Sequence, residues 1–283
     1  MIESSVLTKQ DEEITLIKPS KGWGSLNLRE LWIYRELIYF LTWRDLKVRY
    51  KQTALGAGWA VLQPVLSMVV FSIFFGGLLN VSSGDVPYPI FSYAAVLPWG
   101  VFSKALNDTG RSLVSNRAML TKIYFPRMAI PLASVFSSMA DFLIAFIVML
   151  GLMFYYKIAP TSNIWTLPFF LLLAIITALG VGLWLSAMNV LYRDIGYMIP
   201  YITQLWFYLT PIVYSASEVP EQWQFFYALN PMVGVVEGFR WALLGTADAP
   251  SPMIGVSAAI SIAVFISGMY YFRRMERTFA DMV

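Results

Sequence analysis

Residues 44–64 read RDLKVRYKQTALGAGWAVLQP. Four cations, Arg44, Lys47, Arg49 and Lys51, crowd into the first eight positions. A short small-residue turn follows, Ala54-Leu55-Gly56-Ala57-Gly58, and Trp59 then opens a long apolar run. A charged surface segment, a tight turn and a membrane entry are therefore consecutive.

The composition agrees with a membrane entry. Of 283 residues, 58% are hydrophobic and 13% are charged, where soluble proteins carry about a quarter charged residues. The apolar excess lies in long blocks, the mark of an integral membrane protein. The chain has no Cys and no His, which excludes disulfides, thiol nucleophiles, imidazole bases and His/Cys metal sites. The first 25 residues are polar and of mixed charge, with an acidic cluster at Asp11, Glu12 and Glu13. They read as a solvated tail without the apolar core of a signal peptide.

Between Leu28 and Lys51 the pattern turns helical. Leu31, Tyr34, Ile38 and Leu41 share one face, and after Thr42 the stripe shifts to Trp43, Leu46 and Tyr50. The shift predicts two helical pieces or a bend. Neither piece is apolar enough to span, so each is expected to lie in the membrane interface. The competing reading is a soluble helix packed on a partner.

Six stretches reach the length of about 20 apolar residues that a bilayer requires: 58–79, 89–110, 129–155, 166–191, 197–215 and 252–272. Arg44, Lys47, Arg49 and Lys51 precede the first. Arg111, Arg117, Lys122 and Arg127 separate the second from the third, Arg193 follows the fourth, and Arg273, Arg274 and Arg277 follow the sixth. The alternate loops hold only Lys157 and Arg240 against several acids. By the positive-inside rule both termini are expected to be cytoplasmic. The loop 111–127 is expected to hold one helix ending before Pro126. Its cations can contact a partner or simply set topology.

The segment 218–247 is aromatic but broken by Pro220, Asn230-Pro231, Gly234, Gly238 and Gly245, and it carries Glu218, Glu221, Glu237 and Arg240. It fails as one spanning helix. It works as two short helices hinged at Asn230-Pro231, either dipping in from the external side or lying as an interfacial hairpin.

Little here suits catalysis. The chain contains no G-x-x-x-x-G-K-[ST] phosphate loop, G-x-S-x-G elbow or H-E-x-x-H motif, so ATP is not bound by that route. Asp141 is the one acid deep in a span. Its preferred reading is structural, bonded to Ser137, Ser138 or Lys104, over a proton relay, which calls for more than one such group. Lys104 and Asp108 are spaced to pair on one helix face. Polar groups (Gln63, Ser67, Gln204) mix with aromatics (Phe71, Phe74, Tyr201, Trp206, Tyr208) along the first and fifth spans. Such a surface suits sugars, and equally suits interfacial belts and lipid-facing packing. At the opening stretch, Gly56 and Gly58 permit a tight turn. The helix N-terminus at Trp59 turns N–H groups toward the cytoplasmic surface beside Arg49 and Lys51. These residues alone fit a phosphate site and an ordinary interfacial turn equally.

Four spaced blocks resemble the polysaccharide-export permeases of the type-two ABC exporter class, which includes the O-antigen, capsule and teichoic acid permeases: residues 44–64, LTKIYFPR (120–127), NVLYRDIGYMIPYITQLWFYLTPIVYS (189–215) and LNPMVGVVEGFRWALLG (229–245). The resemblance implies an all-α, six-span permease of the bacterial inner membrane. It would have a cytoplasmic tail (1–28), an interfacial helix and turn (29–57), and a transmembrane domain (58–283) with external gate helices at 218–245. It implies a homodimer with two separate ATPase subunits, which carry ATP and Mg; no cofactor, metal, catalytic residue or nucleic-acid partner is expected on this chain. It further implies that Arg49, Lys51, Leu55, Gly56, Gly58 and Trp59 receive the pyrophosphate of an undecaprenyl-linked glycan. Gln63, Ser67, Phe71, Phe74, Tyr201, Gln204, Trp206 and Tyr208 would line the path, and Asn230, Pro231, Glu237 and Arg240 would form the external gate. Arg44, Arg117, Lys122, Arg127, Arg193 and Asp194 would couple to the ATPase. The expected glycan is O-antigen; rival functions are a teichoic acid, capsule or small amphipathic drug permease, a membrane-embedded undecaprenyl-lipid transferase and an ion-coupled carrier.

Overall fold

A computed structural model of the chain describes residues 28–51, 53, 55–246, 252–276 and 279. The expected polar tail lies outside the described residues. All regular structure among them is helical: α1 (Leu28–Ile33), α2 (Arg35–Lys51), α3 (Gly58–Phe71), α4 (Tyr88–Ser115), α5 (Arg117–Leu120), α6 (Ala129–Tyr156), α7 (Leu167–Leu191), α8 (Ile195–Tyr208), α9 (Glu221–Ala228), α10 (Pro231–Leu244) and α11 (Pro252–Glu276). Among the described residues, four helical stretches are long and apolar enough to cross a membrane: Gly58–Leu78, Ala129–Tyr156, Ser162–Leu191 and Ile254–Glu276.

The other two expected spans differ from these for physical reasons. Helix α4 has 28 residues, about 42 Å at 1.5 Å per residue, but it carries Lys104, Asp108 and Arg111. It also runs past the expected end at 110 to Ser115, so Arg111 is helical and the following loop holds only the single turn α5. Helix α8 has 14 residues, about 21 Å, and stops at Tyr208 instead of reaching 215. Pro211 supplies no N–H for a further turn and disfavours helix at Thr210. The Thr210 hydroxyl caps back onto the Trp206 carbonyl at 2.9 Å.

Direct contacts sort the connections into two ends. At one end Arg44 reaches the Asn116 side chain at 2.7 Å, Arg111 donates to the Gly196 carbonyl at 2.9 Å, and Arg127 donates to the Glu276 carbonyl. At the other end Tyr88 donates to the Val213 carbonyl at 2.6 Å, and Thr161 to the Ala242 carbonyl at 2.7 Å. The residues following α8 therefore complete its passage between the ends. The segments expected to be basic and cytoplasmic share the first end.

At the centre, α4 packs on α6, α7 and α10, and α7 packs on α11. Helices in lipid gain little from hydrophobic exclusion and associate where small residues let backbones approach. The α7–α11 crossing uses Gly180 and Gly268: a Cβ on Gly268 would sit 2.2 Å from the Gly180 carbonyl oxygen. Helix α3 is peripheral. It touches α4 and α6 and leaves a stripe of Leu66, Val69, Val70, Ile73 and Phe74 exposed. It continues as a widened π-helical turn over Ser72–Leu78, where Gly76 lies against the Tyr88 ring.

Two helical pieces are present, one of the two expected forms, but the break between them falls at Tyr34 and not near Thr42. Helix α2 runs unbroken from Arg35 to Lys51. Apolar residues occupy both sides of it. Leu37, Ile38 and Leu41 pack inward, with α2 lying on α6, while Tyr39, Phe40, Trp43 and Val48 face outward. Of the second stripe only Trp43 faces outward, while Leu46 is half-buried and Tyr50 turns inward to Asp141.

Candidate functional site

The opening stretch folds into a hinge between α2 and α3. Gly56 sits at φ +51, a left-handed conformation that costs glycine little and other residues more. Its N–H bonds the Thr53 carbonyl at 3.2 Å, and the Gly58 N–H bonds Leu55 at 2.8 Å. The turn thus consumes amides that were expected to face a ligand. Ala60 N–H is also taken, at 3.1 Å by Ala57, and only Trp59 N–H is held loosely, at 3.5 Å from Gly56.

Beside this hinge lies a cavity of about 570 Å³ between α2, α3, α4 and α6. Arg49, Tyr50, Gly56, Trp59, Gln63, Ser67 and Phe71 line it from the N-terminal side. Trp99, Ser103, Lys104, Asn107, Asp141 and Phe207 line it from the core. Its aromatic part is continuous: Phe71 and Trp99 lie 5.8 and 5.5 Å from Phe207, and Trp99 lies 5.2 Å from Phe102.

Arg49, Lys104 and Asp141 in its wall form a charged cluster with Asp108, which lies outside that wall. Arg49 Nη1 lies 2.8 Å from Asp141 Oδ2, and Arg49 Nη2 lies 2.9 Å from Asp108 Oδ2. Lys104 Nζ reaches the same Asp141 oxygen at 2.8 Å. Ser137 supports the guanidinium with its carbonyl and hydroxyl, each at 3.3 Å, and Tyr50 donates its hydroxyl to Asp141 Oδ1. Burial pushes the Tyr50 phenol up to about 12, aided by its bond to Asp141 and that carboxylate's charge; it stays a donor at neutral pH. Asp141 thus pairs with Lys104, one of the partners read from sequence, and with Arg49, which spacing did not suggest. Lys104 pairs with Asp141 instead of Asp108, because α6 brings the second carboxylate closer.

The other expected site residues divide. Lys51, Leu55 and Gly58 are exposed and outside the cavity wall. Phe74, Tyr201, Gln204 and Tyr208 face outward, with Tyr201 and Tyr208 continuing an exposed stripe that begins at Tyr197. Trp206 is turned away from that stripe and donates to Asn230 Oδ1 at 2.8 Å. Asn230 caps α10 through the Met232 N–H and also donates to the Leu209 carbonyl at 2.9 Å, so the hinge at Asn230-Pro231 is anchored to the end of α8. Behind it a second cavity, about 590 Å³, is lined by Trp206, Trp223, Phe226 and Tyr227.

Arg240 is 0% exposed. It donates to Ile212 and Tyr214 carbonyls at 2.8 and 2.9 Å and to Glu237 at 3.0 Å, and it stacks 3.7 Å from the Phe91 ring centroid. It fastens α10 to α4 and to the segment after α8.

Among the expected coupling residues, Arg44 bonds Asp45 and Asn116. Arg127 is tied to Glu276, which Arg273 also holds at 2.8 Å. Arg117, Lys122, Arg193 and Asp194 are exposed. Burial, then the Glu30 and Glu276 carboxylates, push the nearby Tyr124 phenol up. Sequence reasoning missed Tyr50, Trp99 and Asn107 as cavity residues. No spacing rule links them, since they converge only through helix packing.

A family profile described as ABC-2 type transporter matches residues 36–244. The chain belongs to that family. It is a membrane subunit of a transporter, not an enzyme, and the family works with an ATP-binding cassette partner. Among curated proteins it is similar to the O-antigen export system permease protein RfbA of Myxococcus xanthus, 28% identical over 90% of this chain and 98% of that protein. It is also similar to RfbA of Klebsiella pneumoniae, 27% identical over 88% and 95%, and to the polysialic acid transport protein KpsM of Escherichia coli, 21% identical over 82% and 91%.

Proposed function

We propose that this chain is the permease of an exporter that moves an undecaprenyl-pyrophosphate-linked polysaccharide, of the O-antigen type, across the bacterial inner membrane. It works as a homodimer with two ATPase subunits. The observation that carries this reading is the match over nearly the whole length to permeases named for O-antigen export. In this reading α3, α4, α6, α7, α8 with the residues after it, and α11 are the six spans. Both termini are cytoplasmic, at the end shared by Arg44, Arg111, Arg127 and Glu276, and α9–α10 re-enter from outside. The sorting of the loops supports that topology.

The pyrophosphate enters at the Gly56 hinge, beside Arg49 and Lys104. The glycan follows a path formed where the exposed faces of α3 and α8, bearing Phe74, Tyr201, Gln204 and Tyr208, meet a second copy. Closure of the ATPase pair is transmitted through α2 and the loop carrying Arg117, Lys122 and Arg127, with Arg193 and Asp194 beside it. Deleting the gene in its host should abolish surface polysaccharide while lipid-linked glycan accumulates inside, and the intact chain should reverse both changes. Normal surface polysaccharide in the deletion strain would overturn the proposal.

A further inference from the structure

Arg49 is the cation best placed to meet an anionic headgroup, yet it is not free. Each terminal nitrogen of its guanidinium holds one carboxylate oxygen and one Ser137 oxygen. With Lys104 the cluster has two cations and two carboxylates, so its charges balance, and of the two carboxylates Asp141 lines the cavity while Asp108 stands outside its wall. The carboxylates are not equivalent. Asp141 is held by Arg49, Lys104 and Tyr50, and its side chain is 15% exposed. Asp108 is held by Arg49 alone among these ion pairs, and its side chain is 37% exposed.

We propose that Asp108 is a displaceable guard on Arg49: a pyrophosphate headgroup takes the guanidinium by replacing Asp108, while Asp141 stays. This rests on the headgroup reading above and adds the regulation of that site. A pyrophosphate offers more charge and more acceptor oxygens than one carboxylate, and the arginine fork can bind it in the same two-pronged way. The displaced Asp108 has Lys104 one turn before it on the same face of α4. The exchange also removes a tie between the C-terminal turn of α2 and α4. Loading of the cavity thereby loosens the interfacial helix from one of its neighbours. A molecule without a phosphate leaves Asp108 in place.

The test is binding of farnesyl pyrophosphate to the full chain in lipid nanodiscs at fixed salt, followed by the fluorescence of the cavity tryptophans. Removing the competitor with Asp108→Asn should tighten binding about five- to tenfold, the scale of a partly exposed ion pair. Asp108→Glu, which keeps the charge, should bind like the unaltered chain. Arg49→Gln should weaken binding tenfold or more, and Arg49→Gln/Asp108→Asn should match Arg49→Gln, because no guanidinium remains to compete for. A merely structural Asp108 would give unchanged or weaker binding in Asp108→Asn at unaltered thermal stability; that result overturns the guard while leaving the headgroup site intact. Equal binding by the unaltered chain and Arg49→Gln would instead remove the headgroup site, and the guard with it.

Discussion

Replacing Arg240 with Met unfastens three segments at once. The side chains are similar in length, so most apolar packing survives and the loss is polar. Two carbonyls, Ile212 and Tyr214, lose donors at 2.8 and 2.9 Å, and Glu237 loses its 3.0 Å partner while keeping the Ala216 N–H at 3.1 Å. Removing one side of a buried ion pair costs about 3–5 kcal/mol, a total to which each orphaned carbonyl contributes about 1–3 kcal/mol. The stacking on Phe91 goes as well. Unfolding of the purified chain by SDS titration in mixed micelles, read by circular dichroism, should show a loss of about 3–5 kcal/mol. Arg240→Met/Glu237→Gln should recover part of it, with a coupling of about 1–3 kcal/mol. A loss below about 1 kcal/mol, or strict additivity in the double variant, would refute the clamp.

Other outcomes follow from single contacts. Gly268→Ala drives a methyl into the Gly180 carbonyl at 2.2 Å and should destabilise by about 1–3 kcal/mol in the same titration, whereas Gly255→Ala, with open space around it, should be near neutral. Tyr50→Phe removes the donor to Asp141. Because the folded phenol is raised to about 12 above its usual value of about 10, the stability gap between the chain and this variant should be constant below about pH 10 and narrow as pH rises toward 12, as pH-jump melting curves can measure. Glu276→Gln weakens the hold on Arg127 and Arg273; export should fall while substrate binding in nanodiscs is unchanged, and equal losses of both would argue against a coupling role.

Much of the architecture was legible because its causes are local. An apolar run long enough to span is visible in any window, and the cations beside it are counted directly. The segment 218–247 announced its break through Asn230-Pro231, and α9 and α10 do meet there. Other features depended on neighbours. The end of α8 at Tyr208 follows from Pro211, a local signal outweighed by the apolar count. The continuity of α2 across Thr42 was hidden because both of its faces are apolar, one toward α6 and one outward, so periodicity could not assign an interior.

The sequence alone determined a helical membrane protein, a basic set of alternate loops, and a glycine turn leading into the first apolar helix. Each follows from composition and backbone chemistry within a few residues. Only the tertiary structure decided what the charges do. Arg49 finds Asp141 across 92 positions and Asp108 across 59, and Arg240 grips carbonyls 26 and 28 positions away. In a low-dielectric interior a charge must take a partner. The choice of partner is made by which helices pack together, and one chain's local pattern does not encode that.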